Sequence, residues 1–315
     1  MKNVVVVVVA FAVSGCFDLD SFVWNPKHCS LRSAESFGEK DELCEDKNMC
    51  TACGDPLPFE KFGIPADKAT QHPIVLEEDK TNDSWFVASS GGPLSDVTIV
   101  FSHGNFGGIE HYLNRVALLF QTGANVYAVD YRGFGQSSTT AEPTELQFQS
   151  DTAFARDGLP AILQEHGVST SAVVLMGYSA GALSAVEMAV TDPSCGIVLE
   201  APWPSVQAFA DDSTFIGVPG SFVTTGTWDN ISKMATYKQP YLHLHGSEDQ
   251  TVRIELGEEM FDASPSTQKE FLAVEGAQHG NFLGKEGEIP DVAETLGQRE
   301  YVEKIAGFVS ALDCD

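Results

Sequence analysis

A serine between two glycines is the residue in this chain best suited to chemistry. The stretch Gly177-Tyr178-Ser179-Ala180-Gly181 follows an apolar run over residues 171–176, and residues 180–190 are typical of the start of a helix. A sharp turn between a buried strand and a helix pushes a serine hydroxyl out above a sheet, and small flanking residues let backbone segments pass closely. We therefore predict that Ser179 is a nucleophile. The alternative is a glycine-rich turn that only closes a strand–helix unit.

Two later segments contain groups that could activate this serine. A serine hydroxyl is a poor nucleophile unless a base takes its proton, and that base needs a partner that fixes its tautomer. Asp249 ends the segment over residues 245–249, and His279 lies in the segment over residues 276–281. Each segment directly follows a candidate strand. We therefore predict that His279 is the base and that Asp249 orients it.

Alternating strands and helices are needed to bring these segments together. The candidate strands cover residues 73–77, 85–88, 97–102, 125–130, 171–176, 196–200, 241–245 and 270–274, and the candidate helices include residues 110–122, 145–166 and 293–312. Apolar strands that alternate with helices predict a mostly parallel sheet with helices on both faces. Ligands of such sheets bind at the carboxyl ends of the strands, where all three predicted residues fall.

The alternation breaks after the sixth candidate strand. Residues 202–238 scatter prolines and aromatic residues among glycines and threonines. This composition predicts a small apolar lid that would supply a pocket wall, or else an irregular packed connection.

Five ordered motifs connect this chain with a known family. They are His103-Gly-Asn-Phe-Gly-Gly, Asp130-Tyr-Arg-Gly-Phe-Gly-Gln-Ser-Ser, Gly177-Tyr-Ser-Ala-Gly, His245-Gly-Ser-Glu-Asp-Gln-Thr-Val252 and Gln278-His279-Gly. Together they resemble the small-lid alpha/beta-hydrolases, which include serine aminopeptidase-like hydrolases and alpha/beta-hydrolase-domain lipases and thioesterases. The resemblance covers about residues 95–312. It implies the α/β-hydrolase fold, with a mostly parallel sheet of about eight strands and a short lid after strand six.

The resemblance also assigns roles to residues. It implies that Ser179 is the nucleophile, that His279 is the general base and then the acid, and that Asp249 is the orienting carboxylate. The backbone N–H groups of Asn105 and Ala180 would form the oxyanion hole. No metal and no organic cofactor is implied.

Two other carboxylates could replace Asp249. Glu248 adjoins it, and Glu200 ends the sixth candidate strand, a position that some relatives use for the acid. We expect Asp249 to be the acid because the resemblance places the acid at the second position of the pair.

Several further residues have a structural and a chemical interpretation. His243 and His245 lie two apart on one strand, which suggests metal ligation, but without a third ligand we expect buried, hydrogen-bonded histidines. His103 is expected to hold the oxyanion loop. Asp130 and Arg132 match a family loop that is mainly structural.

Composition excludes one class of partner. The chain has 315 residues, of which 43% are hydrophobic, and its formal net charge is −27. Such a charge would be repelled by a phosphate backbone, so we expect no nucleic-acid binding. The sequence predicts no oligomeric state.

The N-terminus predicts export. Residues 1–15 combine a short basic start with an apolar run, which is typical of a signal peptide. Cys16 follows Val13-Ser14-Gly15, which resembles the bacterial lipobox, so we predict lipidation of Cys16 and membrane attachment through it. Phe17 favours the outer membrane. The alternative is an ordinary secretory signal.

The six remaining cysteines favour disulfides outside the cytosol. Four lie in a predicted tether over residues 16–70: Cys29, Cys44, Cys50 and Cys53. They pair with one another or, alternatively, bind zinc. The predicted domain covers residues 71–315, in which Cys195 lies at the start of a candidate strand and Cys314 at the end of the last candidate helix. Strand starts and helix ends lie at the same end of a parallel sheet. We therefore predict a Cys195–Cys314 disulfide.

These expectations combine into one hypothesis. The chain would be a lipid-anchored serine hydrolase that cleaves carboxylic ester or thioester bonds of a small-molecule acyl substrate. A peptidase of the same fold and a non-catalytic surface-binding lipoprotein are the alternatives.

Overall fold

The structure, a computed structural model, describes residues 56–77, 79–105, 107–139, 144–208, 227–280 and 290–314. The predicted signal peptide, Cys16 and the four N-terminal cysteines lie outside these ranges, as do residues 209–226 of the predicted lid. Within these ranges, no helix combines the length and the apolar character that crossing a bilayer requires.

An eight-stranded sheet forms the centre of the fold. The strands in the described residues are β1 (Ala69–Gln71), β2 (Ile74–Val75), β3 (Thr81–Asn82), β4 (Ser84–Val87), β5 (Thr98–Ser102), β6 (Asn125–Val129), β7 (Val173–Tyr178), β8 (Gly196–Glu200), β9 (Tyr241–Gly246) and β10 (Lys269–Val274). The sheet order is β1-β4-β6-β5-β7-β8-β9-β10. Neighbours from β6 to β10 are parallel, whereas β4 is antiparallel to both β1 and β6. This confirms the predicted mostly parallel sheet.

Helices cover both faces of the sheet. The helices in the described residues are α1 (Leu113–Gln121), α2 (Glu145–Glu165), α3 (Gly181–Thr191), α4 (Asn230–Met234), α5 (Ile254–Ala263), α6 (Val292–Leu296) and α7 (Gln298–Ser310). On one face, α1, α6 and α7 bury residues such as Val116 and Ile305. On the other, α2 to α5 bury residues such as Val186 and Met260. Strands β5 to β9 are buried throughout, which is why their sequences are apolar runs without alternation.

Two predicted elements have different bounds in the structure. The two antiparallel strands expected at residues 73–77 and 85–88 belong to different sheets: β1 pairs with β4, whereas β2 pairs with β3 across a turn that contains Asp79 at φ 64°. The single helix expected over residues 293–312 is divided into α6 and α7. Gly297 separates them because its φ of 89° lies in the left-handed region, which interrupts a helix.

The described ends of the predicted lid lie side by side. Ser205 and Asp229 form an isolated antiparallel bridge. Trp203 and Trp228 flank this bridge and are buried, and the Asn230 side chain donates a hydrogen bond to the Trp203 carbonyl at 2.8 Å. The base of the predicted lid is therefore packed into the domain.

A disulfide joins Cys195, just before β8, to Cys314, just after α7, over 119 residues of sequence. This is the pairing that the sequence predicted. It attaches the C-terminal helix to the end of the sheet opposite the carboxyl ends of the parallel strands.

Removal of this disulfide should lower the free energy of unfolding without changing the residues at the carboxyl ends of the parallel strands. We expect a Cys195→Ala/Cys314→Ala variant to lose about 2–4 kcal/mol in free energy of unfolding, because a long cross-linked loop restricts the unfolded chain. Urea unfolding of oxidised protein measures this loss. Non-reducing peptide mapping that finds both thiols free in the wild type, or identical unfolding curves, would contradict the prediction.

Candidate active site

Ser179 lies at the sharp turn between β7 and α3. Its φ of 54° is in the left-handed region, which is costly for a residue with a side chain unless the surrounding structure enforces it. The flanking glycines permit that structure. A Cβ atom on Gly177 would lie 2.6 Å from the Cα atom of Ala182, and one on Gly181 would lie 2.0 Å from the carbonyl oxygen of Ser102. Only glycine allows the backbone to approach so closely.

The structure brings Ser179, His279 and Asp249 into one hydrogen-bonded chain. The His279 Nε2 atom lies 2.8 Å from the Ser179 Oγ atom, and its Nδ1 atom lies 2.8 Å from the Asp249 Oδ2 atom. All three residues are buried. With Nδ1–H donating to the carboxylate, Nε2 is left to accept the serine proton, as a general base requires.

The surroundings of Asp249 favour its ionised form. Its Oδ1 atom accepts the backbone N–H groups of Thr251 and Val252, both at 2.8 Å. Burial alone would raise the pKa of Asp249, but the charge and hydrogen bond of His279, together with the Val252 N–H, lower it below its ordinary value. A carboxylate of this kind can stabilise a positive charge on His279.

The loops that carry Asp249 and His279 are bonded directly to each other. The Glu248 N–H donates to the Ala277 carbonyl at 2.9 Å, and the Gly276 N–H donates to the Ser247 hydroxyl at 2.9 Å. A Cβ atom on Gly246 would lie 2.3 Å from the Ala277 carbonyl oxygen, so this contact also needs a glycine. The loops that carry Asp249 and His279 therefore form one unit at the ends of β9 and β10.

Three β9 side chains form a hydrogen-bonded row behind Asp249. Tyr241 donates to His243 Nδ1, His243 Nε2 lies 3.1 Å from His245 Nδ1, and His245 Nε2 donates to the Val252 carbonyl at 2.8 Å. Burial and the neighbouring His245 imidazole lower the pKa of His243. Burial also lowers the pKa of His245, with smaller opposing contributions from the Val252 carbonyl and Asp249. The histidines are thus buried and hydrogen-bonded, as expected, and the described residues contain no cluster of three metal-ligating side chains.

The loop after β5 is held at both ends by one carboxylate. The Asp130 Oδ1 atom accepts the Ile109 N–H at 2.7 Å and lies 3.0 Å from His103 Nε2. The other ring nitrogen of His103 donates to the Gly104 carbonyl at 2.7 Å. Burial raises the pKa of Asp130, and the adjacent His103 opposes this rise. These contacts place His103 and Asp130 in the structural roles expected for them.

The two predicted oxyanion residues lie in segments that flank Ser179. Ala180 directly precedes α3, where helix N–H groups and the helix dipole favour negative charge. Asn105 lies in the loop after β5. That loop approaches the serine closely, since a Cβ atom on Gly104 would lie 3.3 Å from the Ser179 Cβ atom.

An apolar cluster packs beside this turn. It comprises Tyr131, Phe134, Phe148, Ala180, Leu183, Trp203, Val206, Trp228 and Val252. Arg132 follows Tyr131 of this cluster in the chain, and its Nε atom donates a hydrogen bond to Asp151 on α2 at 2.6 Å. Arg132 therefore has the structural role that the sequence suggested.

The two alternative acids, Glu248 and Glu200, have surroundings that differ from those of Asp249. The Glu248 side chain is exposed. The Glu200 carboxylate is buried, and both of its oxygens accept hydrogen bonds from Arg115 at 2.7 Å, with a third from Tyr301. The position of Asp249 favours it as the acid.

Sequence analysis missed three residues that contact the elements of this site. They are Arg115, Tyr178 and Asp291. Tyr178 donates a hydrogen bond to the His279 carbonyl, and Arg115 pairs with Asp291 at 2.6 Å. The available signal was a lone arginine in the first turn of α1, directly before its apolar run, because a buried charge needs partners elsewhere in the chain.

A mostly parallel sheet with a Ser–His–Asp set at the carboxyl ends of its strands is the arrangement of the α/β-hydrolase class. Comparison with known protein families agrees with this assignment. The Alpha/beta hydrolase family matches residues 99–291, and the chain belongs to this family.

Two relatives show how far the similarity extends. The chain is 32% identical to the Alpha/beta hydrolase domain-containing protein aho-3 of Caenorhabditis elegans over 197 residues, which cover 60% of this chain and 54% of that protein. It is 28% identical to the human Alpha/beta hydrolase domain-containing protein 17B over 221 residues, covering 69% and 68% of the two chains. The chain thus spans about half of the Caenorhabditis elegans protein and about two thirds of the human one.

Solved structures agree on the fold. An esterase of Pyrococcus furiosus superposes with a TM-score of 0.61 at 16% identity, covering 83% of this chain and 95% of the esterase. An esterase of Pyrobaculum calidifontis gives a TM-score of 0.59 at 17% identity, covering 81% and 89%. At such identities the likeness is one of fold.

The two neighbouring carboxylates at residues 248 and 249 provide a matched test of the acid. We expect Asp249→Asn to lower kcat by about 10³-fold to 10⁴-fold, because the wrong His279 tautomer is then favoured, and Glu248→Gln to stay within about twofold of wild type. Steady-state hydrolysis of a p-nitrophenyl ester measures both. The reverse pattern would transfer the role of the acid to Glu248.

Proposed function

We propose that this protein is a serine hydrolase that cleaves carboxylic ester or thioester bonds through an acyl-enzyme on Ser179. The observation that supports this proposal is the chain of two 2.8 Å contacts from Ser179 Oγ through His279 to Asp249. It lies at the carboxyl ends of parallel strands, where ligands of such sheets bind.

Acylation uses these groups in order. The Ser179 Oγ atom attacks the carbonyl carbon while His279 Nε2 takes the hydroxyl proton. The oxyanion that forms would accept hydrogen bonds from the backbone N–H groups of Asn105 and Ala180. As the tetrahedral intermediate collapses, the bond to the leaving group breaks and His279 returns its proton to the departing alcohol or thiol.

Deacylation repeats the sequence with water. His279 takes a proton from a water molecule, whose oxygen attacks the acyl carbon and forms a second tetrahedral intermediate. The ester bond to Ser179 Oγ then breaks, the acid product leaves, and the serine regains its proton. Asp249 remains ionised throughout, which its lowered pKa favours.

Ester substrates fit the surroundings of the serine. The buried cluster that contains Trp203 and Trp228 also includes Ala180, the residue after the serine, so the packing beside Ser179 is largely apolar. The esterases of Pyrococcus furiosus and Pyrobaculum calidifontis share this fold, so the fold is compatible with ester hydrolysis. The resemblance to serine aminopeptidase-like hydrolases makes peptide-bond cleavage the alternative, and a panel of acyl esters and aminoacyl amides would separate the two.

Loss of the serine hydroxyl should abolish both labelling and turnover. We expect a fluorophosphonate probe to label the wild type and Ser179→Ala to lose the label together with at least about 10³-fold of p-nitrophenyl butyrate turnover. Ser184→Ala is the matched control, since this buried serine on α3 bonds Thr152 at 3.0 Å, outside the triad. Labelling that persists in Ser179→Ala, or a wild type that neither labels nor turns over any ester, would reject the proposal.

We further propose that Cys16 carries the lipid anchor of an exported, outer-membrane protein. The support is the apolar run followed by Val13-Ser14-Gly15-Cys16. In a bacterial host, metabolic labelling with an alkynyl fatty acid should mark the wild type and fail to mark Cys16→Ser. Equal labelling of the two proteins would contradict lipidation at this residue.

A further inference from the structure

Arg115 is a buried cation on the α1 face that packs against the sheet. One guanidinium nitrogen donates to both carboxylate oxygens of Glu200 at 2.7 Å, and the other terminal nitrogen donates to Asp291 Oδ2 at 2.6 Å. The Arg115 Cζ atom also lies over the Tyr178 ring, 4.0 Å from its centre. A single side chain thus contacts three segments that are far apart in sequence.

Two of these segments hold Ser179. Tyr178 is its neighbour in the chain, and the Glu200 carbonyl accepts the Ser179 N–H at 2.9 Å. Glu200 thus has two roles: its backbone carbonyl binds the Ser179 N–H, and its side-chain carboxylate is held by Arg115. Tyr301 donates a further hydrogen bond to the same carboxylate at 2.7 Å.

The contacts of Arg115 also reach both sides of His279. The Tyr178 hydroxyl donates to the His279 carbonyl, and the two rings stack with centroids 5.5 Å apart. On the side before His279, the Gln278 N–H donates to the Pro290 carbonyl at 2.8 Å, and Pro290 directly precedes Asp291. The chain before and after His279 is therefore tied to groups that Arg115 holds.

We propose that Arg115 is a positioning residue that sets the distance between Ser179 Oγ and His279 Nε2. This inference rests on the proposed function. A buried ion pair is weak support for stability, since apolar residues of similar volume often serve as well. The geometric demand is specific, however: two carboxylates and an aromatic face are contacted at once, which needs the planar fork of an arginine.

The test compares kcat per active site in two variants, Arg115→Lys and Tyr178→Phe, and in one control variant. Arg115→Lys keeps the charge and loses the fork, whereas Tyr178→Phe removes only the hydroxyl that bonds the His279 carbonyl. We expect kcat to fall by about 10-fold to 100-fold in Arg115→Lys and by about 10-fold in Tyr178→Phe, with KM within about twofold, because misplacement of a catalytic group impairs the chemical step. Titration with a fluorophosphonate probe counts the folded, active molecules in each sample.

Tyr237→Phe is the matched control. This tyrosine is also buried, but its hydroxyl donates to the Pro240 carbonyl at 3.4 Å, at the end of the sheet opposite Ser179. We expect its kcat to stay within about twofold of wild type.

The possible outcomes separate the inference from the proposed function. Wild-type kcat per titrated site in both Arg115→Lys and Tyr178→Phe would overturn the positioning role, even if the variants unfold more easily. If Arg115→Lys does not fold, Tyr178→Phe alone decides. A wild type that neither reacts with the probe nor hydrolyses esters would instead overturn the proposed function, and this inference with it.

Discussion

The left-handed backbone of Ser179 exists only because no side chain occupies positions 177 and 181. A Cβ atom at either glycine would lie within 2.6 Å of neighbouring backbone, so β7 and α3 could not meet at this angle if a larger residue replaced it. The Glu200 carbonyl then fixes the serine N–H. Backbone contacts, more than side-chain packing, therefore decide where the hydroxyl points, and each remaining group of the site is placed relative to that point.

Two buried carboxylates at the same edge of the sheet have pKa values that are shifted in opposite directions. Asp249 and Asp130 are both buried, yet the pKa of Asp249 is lowered and that of Asp130 is raised. Burial opposes ionisation of both, and the balance with their partners differs. For Asp249 the charge and hydrogen bond of His279, with the Val252 N–H, outweigh burial. For Asp130 burial, with a smaller contribution from the nearby acid Glu110, outweighs the opposing effects of His103 and the Ile109 N–H. Different surroundings thus shift the pKa values of two buried carboxylates of one acidic chain in opposite directions.

The sequence was most informative where chemistry and chain geometry coincide. The order of Ser179, Asp249 and His279 at candidate strand ends is sufficient to predict that they meet, because parallel strands bring their carboxyl ends to one edge. The Cys195–Cys314 disulfide follows from the same rule applied to the opposite edge. The division between α6 and α7 was missed because a single glycine inside an amphipathic pattern does not reveal its backbone conformation.

Residues that act through other residues are much harder to predict. Arg115 and Asp291 lie 176 positions apart in sequence, and no local pattern relates them. The motif around Ser179 includes Tyr178 without stating what its hydroxyl bonds. Such contacts depend on which helix packs over which strand end, and only the assembled fold shows this.

The Cys195–Cys314 disulfide gives the chain a covalent topology with a practical consequence. The ring that it closes contains Asp249 and His279, together with residues 209–226 and 281–289, whereas Ser179 lies outside it. A protease that cuts the chain once anywhere between the two cysteines cannot release a fragment until the disulfide is reduced. Ser179, Asp249 and His279 would therefore remain on one covalently connected molecule, and the protein would migrate as a single band on a denaturing gel without reductant.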